Sequence, residues 1–210
     1  MAAAPALVID TATAACSVAL IDGGTLVASR HEIVGRGHAE QLVPLIDTLL
    51  RDAGVARPSA VRVGCGPGSF TGVRVGLAAA IGLGIGWGVE VAGISSTALI
   101  AAALFDREPA TDVCAVALAG GHGELFVERF ARHPFASIAP LASLPPVMAA
   151  DAIPDAVVAG TGADTLVAAR GHGRAVDLLP DAAEARLLPP DMLLPARPIY
   201  GRAPDAKAAA

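Results

Sequence analysis

Residues 61–76, VRVGCGPGSFTGVRVG, constrain the fold of this chain more than any other stretch. An apolar strand pattern runs straight into a Gly-Pro-Gly turn, and Ser69-Phe70-Thr71-Gly72 then opens a long apolar helix. A strand-to-helix turn of this kind brings backbone N–H groups close to whatever sits above the helix N-terminus, which suits an anion. Gly66, Gly68, Ser69, Thr71 and Gly72 are therefore candidate residues of an anion or nucleotide nest. The alternative is a tight structural turn, in which Gly66 and Gly68 supply unusual φ and Ser69 or Thr71 caps the helix. The loop is no Walker motif, because the spacing differs and Lys207 is the chain's only lysine. It also lacks the dinucleotide glycine spacing and the nucleophile-elbow pattern.

The helix that follows is apolar nearly all round. Arg74 is its only charged residue between Thr71 and Val89. Gly72, Gly76, Ala80, Gly84 and Gly88 form one stripe at i, i+4 spacing, with Val73, Leu77, Ile81 and Ile85 beside it. A sheet covers one face of such a helix, and the glycine stripe suits close approach of a second helix on another. Two readings follow: a central helix buried within this chain, or a helix that forms a partner interface together with residues 42–50. A membrane span is the third, but glycine is abundant and no basic flank exists.

Hydrophobic content of 54% and charged content of 17% over 210 residues point to a substantial core rather than disorder. The net charge of −5 argues against an autonomous grip on nucleic acid, although a basic partner could make such contacts for a pair. Cys16, Cys65 and Cys114 are odd in number, form no CxxC and lie in apolar runs, so they read as buried, reduced thiols. Residues 1–9 lack the basic start and length of a signal peptide, and the cytoplasm fits best.

The chain opens with an apolar run at residues 6–10, a second at 17–21, an Asp22-Gly23-Gly24 hairpin signal and a return strand at 25–34. A helical pattern from His38 ends at Gly54, with Pro44 expected to kink it or mark its first turn. A strand at 60–65, the glycine loop, a helix over about 70–88, a strand at 90–94 and a helix capped by Ser95-Ser96-Thr97 follow. Arg107-Glu108-Pro109 reads as a boundary. Strands at 113–118 and 124–130 pair beyond it, 134–156 reads as a long connection with one short helix, and 156–159 as a strand. The last 30 residues show no periodicity, and 207–210 reads as a frayed end.

This order, three strands and then alternating helices and strands, is the mixed-sheet layout of an actin-like ATPase (ASKHA, RNase H-like) α/β fold. It predicts a first lobe over 1–108 and a smaller, truncated second lobe over 109–210. Proteins of that fold hold phosphates on two hairpins, each with an Asp and glycine-rich backbone. Here Asp10 is followed by Thr11 and Ala12, and the second hairpin, residues 118–123, has no aspartate. A metal–nucleotide needs such ligands on both sides, so the phosphotransfer apparatus reads as eroded. His31, His38, His122, His133 and His172 form no metal-ligating pair, and His38 reads as a cap or packing contact. Asp151, Asp155 and Asp164 read as surface or cap residues.

The chain resembles the TsaB (YeaZ) family. The resemblance rests on LVIDTATAACSVAL at 7–20, HAEQLVPLIDTLLRDAG at 38–54, GPGSFTGVR, GISST at 93–97, Gly-Glu-Leu-Phe at 123–126 and PIYGRAPDAK around Tyr200. Ala119-Gly120-Gly121 departs from that family's Asp-Ala-Arg. The resemblance implies a non-catalytic subunit that pairs with TsaD, the metal-bearing enzyme of threonylcarbamoyl transfer to the adenosine beside the tRNA anticodon. TsaE joins the pair, a homodimer forms when the chain is alone, and tRNA is met only through the complex. No cofactor is then required, and weak ADP or ATP binding remains open. The interface is carried to Leu42, Leu45, Ile46 and Leu49 on the first helix and to Val73, Leu77 and Ile81 on the second. The alternatives are a nucleotide-binding regulator and a glycopeptidase-type hydrolase.

Overall fold

The computed structural model describes residues 4–201. Its first sheet opens with three antiparallel strands, β1 (Ala6–Asp10), β2 (Ala15–Asp22) and β3 (Thr25–Ile33). Gly23 and Gly24 turn the hairpin between β2 and β3 with positive φ of 53° and 84°. Helix α1 (His38–Asp52) then leads to β4 (Ala60–Gly64), α2 (Phe70–Trp87), β5 (Glu90–Ile94) and α3 (Ser96–Arg107). β4 and β5 add in parallel beside β1, giving the order β3-β2-β1-β4-β5.

The second sheet repeats this order with shorter parallel outer strands. It comprises β6 (Val113–Ala119), β7 (Leu125–Ala131), β8 (Ala136–Leu144), β9 (Val157–Ala159) and β10 (Arg174–Val176). Helices α4 (Pro146–Ala152) and α5 (Ala163–Arg170) accompany it, and the order is β10-β9-β6-β7-β8. Both sheets thus set three antiparallel strands beside two parallel ones, the mixed two-lobe architecture of the actin-like fold.

Several elements depart from expectation. The stretch at 134–156 is not a long connection, because β8 occupies nine residues of it. Its Pro140 is tolerated because β8 lies at the sheet edge, where a missing N–H costs no ladder bond. Neither α5 nor β10 was expected; each is short and carries weak patterning. Pro44 neither starts nor stops α1, which begins at His38 and runs through it with the ring exposed. Ser95 flanks α3 without a side-chain cap, and its hydroxyl instead meets Thr97 Oγ1 at 2.6 Å. Residues 207–210, expected to fray, lie outside the described residues.

The first core lies between the sheet and the α1/α2 layer, where Leu42, Leu45, Ile46 and Leu49 of α1 meet Val73, Leu77 and Ala80 of α2. On the opposite side, α3 is buried along most of its length. Leu99 packs with Val8 and Ile94 of the first sheet, while Ile100, Leu104 and Phe105 pack with Val116, Leu118 and Phe130 of the second. The segment after β10 returns to the first sheet through a 3-10 turn at Ala182–Leu187. Ser17 Oγ accepts from Ala182 N at 2.9 Å, and Leu194 exchanges backbone hydrogen bonds with Gly93.

Candidate functional site

The glycine loop is closed against its own chain. Ser69 N donates to Ala12 O at 2.7 Å, and Thr11 Oγ1 donates to Gly72 O at 2.7 Å. A Cβ on Gly68 would lie 2.1 Å from Ala12 O, and one on Gly72 would lie 2.1 Å from Thr11 O. Glycine is needed here because the β1–β2 turn presses onto the N-terminus of α2. Ser69 supplies the cap, accepting from Gly72 N at 3.2 Å, while Gly66 and Gly68 hold φ of 93° and 155°. Gly66 faces Val73 and the carbonyl of Ile199, and Thr71 is exposed on the first turn of α2. The tight-turn reading therefore accounts for the loop.

Asp10 is equally enclosed. Ser96 Oγ donates to its Oδ2 at 2.6 Å and Ala12 N to its Oδ1 at 2.9 Å. Burial dominates these bonds and pushes its carboxyl up to about 6. Where actin-like ATPases hold phosphate between two hairpins, a small cavity of about 210 Å³ remains, lined by Ala12, Thr13, Ala14, Gly35, Gly68, Ser69, Leu118, Ala119 and Thr161. That wall carries no ionisable side chain.

A larger cavity of about 720 Å³ opens between the lobes. Gly68, Ser69, Phe70, Val73 and Arg74 form one wall, Ala119–Gly121, His122, Glu124, Phe126 and Ser143 the opposite one, and 198–201 the third. The Arg74 guanidinium sits 3.2 Å from the Phe70 ring centroid and 5.2 Å from that of Tyr200. It also donates to Phe70 O at 3.0 Å and to the Tyr200 hydroxyl. Nothing in the sequence placed these residues together, because Arg74 and Tyr200 lie 126 positions apart.

Six of the seven residues expected from sequence at a helix interface are buried within this chain. Leu42, Leu45, Ile46, Leu49, Val73 and Leu77 are core residues of this chain, whereas Ile81 is 43% exposed. The glycine stripe of α2 faces the sheet and the β1–β2 turn rather than a second helix: a Cβ on Gly76 would lie 2.5 Å from Thr11 Oγ1, and one on Gly84 2.2 Å from Val91 Cγ2. The outward face of α2 carries Thr71, Ala78, Ile81, Gly82, Ile85 and Gly86, and Ile85 is 79% exposed. Val43 of α1 is exposed as well. Length and composition alone would let α2 cross a membrane, and a third of that stretch is buried inside the fold.

Several other polar groups are tied into the fold. His38 Nε2 lies 3.2 Å from Ala15 O, the packing contact expected. His31 Nδ1 is 3.3 Å from Asp181 Oδ2, and this contact raises the imidazole pKa against the opposing effect of burial. Asp155 is not a surface residue: Arg129 Nε donates to it at 2.6 Å and its side chain is 3% exposed. All three cysteines are buried, and burial pushes the Cys16 thiol to about 11 and Cys114 to about 12. No group of three His, Cys, Asp or Glu able to hold a metal occurs among the described residues.

Comparison with known proteins adds the lineage. A family model described as TsaD, tRNA N6-adenosine threonylcarbamoyltransferase, matches residues 27–133. The tRNA threonylcarbamoyladenosine biosynthesis protein TsaB of Escherichia coli is 38% identical over 60% of this chain and 54% of its own length. The Haemophilus influenzae TsaB is 40% identical over 52% of this chain and 47% of its own. The matched stretch thus spans about half the length of these curated relatives. The structure of YeaZ from Pseudomonas aeruginosa is 31% identical, with a TM-score of 0.79 over 94% of this chain and 99% of that one. The ethanolamine utilization protein EutJ from Carboxydothermus hydrogenoformans, at 15% identity and a TM-score of 0.51, shares the fold alone.

Proposed function

The chain belongs to the TsaB (YeaZ) family, and on that footing we propose that it is a non-catalytic subunit that pairs with a TsaD-like enzyme in tRNA threonylcarbamoyladenosine formation. The observation that carries this reading is the outer face of α2. Ile81 and Ile85 stand exposed among Ala78, Gly82 and Gly86, and no charge occurs between Arg74 and Glu90. Soluble proteins rarely leave a continuous apolar strip uncovered unless a partner covers it. Small residues beside the two isoleucines let another helix approach closely.

The closed phosphate region supports an accessory role. Asp10 is bound by Ser96 and Ala12, and the cavity between the hairpins has an uncharged wall. The acidic charge of −5 fits a division of labour in which partners contact the tRNA. In this proposal a TsaE-like ATPase joins the pair, and the same α2 face forms a homodimer when the chain is alone.

Size-exclusion chromatography with light scattering tests the pairing. The chain mixed with TsaD from the same source should give a one-to-one complex in place of a homodimer. Ile85→Asp should abolish both while leaving the melting temperature within a few degrees of wild type. A complex that survives Ile85→Asp and Ile81→Asp refutes this placement of the interface.

A further inference from the structure

We infer that a separate cavity, roofed by the returning segment, binds a small apolar monocarboxylate whose anion pairs with Arg62. The cavity measures about 220 Å³ and shares no lining residue with either cavity at the cleft. Its floor is the first sheet, with Ala6 and Val8 of β1, Ile21 of β2, Ile94 of β5 and Arg62 of β4. Val61 and Val63 belong to the α1/α2 core, so strand alternation turns Arg62 to the opposite face. Val8 and Ala92 are its register partners on the neighbouring strands. The roof is Leu188, Pro190 and Met192 of the segment that returns after β10. Gly23 and Leu193, both exposed, stand at the rim.

A cation on the inward face of a central strand is normally paired and hydrogen-bonded. Arg62 has one ion-pair partner among the described residues, Glu90, and the Nη2–Oε2 distance of 3.6 Å is too long for a hydrogen bond. The Glu90 side chain is 71% exposed, so water screens the attraction. Arg62 Nη1 is buried with no hydrogen-bond partner among the described residues. An unpaired donor out of reach of water is costly, and an anion in the cavity relieves that cost. The long contact to Glu90 does not lock the guanidinium, which can turn its unused donor toward an arriving anion. The rest of the wall selects the kind of anion. Around Arg62 the side chains are aliphatic or thioether, and the prolines of the roof bring no N–H. Met192 N is taken by Pro189 O at 3.1 Å. Phosphate needs several donors and finds one cationic side chain. A single carboxylate on a short apolar body matches one guanidinium in an apolar wall. The volume, about seven waters of liquid at roughly 30 Å³ each, sets the ligand's size near that of isovalerate.

The inference does not depend on pairing with TsaD, and its test is separate. Isothermal titration and thermal melts of the full chain read it directly, with isovalerate, its neutral amide isovaleramide and inorganic phosphate as probes. Isovalerate should bind in the millimolar range or more tightly and raise the melting temperature. Isovaleramide should bind at least about 10-fold more weakly, because it brings no charge to Arg62. Phosphate should also bind more weakly than isovalerate. Met192→Trp, which fills the cavity, should lose isovalerate binding. Arg62→Met should erase the preference for the acid over the amide. Comparing acid with amide needs only the wild-type chain, so the test stands even where a variant fails to fold. No isovalerate binding at tens of millimolar overturns the inference. So does equal binding of acid and amide, tighter binding of phosphate than of isovalerate, or unchanged isovalerate binding in a folded Arg62→Met. A chain that pairs with TsaD and binds no isovalerate removes this inference alone.

Discussion

Replacing Asp10 by asparagine should make the protein more stable at neutral pH and flatten its acid-side pH dependence. In the folded chain burial raises the Asp10 carboxyl from 3.8 to about 6, while the bonds from Ser96 and Ala12 hold it back from rising further. A folded pKa above the unfolded one means that the native state binds the extra proton between those values. The associated stability is therefore fully present below pH 3.8 and lost as pH rises through about 6. A rise of about two units corresponds to about 3 kcal/mol. Asparagine is nearly isosteric, and its amide nitrogen can donate to Ser96 Oγ while its oxygen accepts from Ala12 N. Urea unfolding followed by circular dichroism between pH 4 and 8 measures the effect. His31 and Asp181 also act on Asp10, but both are present in the two proteins and largely cancel in the difference. The variant's advantage should grow by about 2–3 kcal/mol across that window. A difference that stays constant with pH would refute the buried, proton-binding carboxyl.

The two kinds of glycine in α2 should respond in opposite senses. Gly82→Ala and Gly86→Ala meet no atom within 4 Å and should each stabilise the isolated chain by about 0.5–1 kcal/mol in thermal melts. Gly76→Ala, whose Cβ would fall 2.5 Å from Thr11 Oγ1, should destabilise by about 1–3 kcal/mol. Arg129→Ala should cost about 3 kcal/mol in urea unfolding, because it strands the Asp155 carboxylate, and adding Asp155→Asn should recover part of the loss.

Much of the first lobe was legible because its signals are local. Asp22-Gly23-Gly24 marks a two-residue hairpin, and the apolar face of α1 follows helical spacing. The strand-to-helix turn and its Ser69 cap were readable for the same reason. What failed was the identity of neighbours. Period alone shows that Gly76 and Gly84 permit close approach, but it does not say that Thr11 of the β1–β2 turn and Val91 of β5 are what approaches. The same ambiguity assigned Leu42 and Leu77 to a partner when both lie in one core inside this chain. Strand β8 was hidden because proline at an edge position looks like proline in a loop. The aromatic cavity was invisible for a different reason: its walls come from segments whose proximity only the tertiary fold creates.

Helix α3 and the returning segment set how freely the two lobes can move. An enzyme of this fold class that closes on its substrate needs lobes that part along a clean seam. Here the seam is stitched twice, once by a helix whose Leu99 belongs to one core and whose Phe105 belongs to the other, and again by Ala182 and Leu194 clasping Ser17 and Gly93. Opening the cleft would expose buried leucines and break backbone pairing together. Whatever covers α2 or enters the cleft therefore meets two lobes tied together at two separate places.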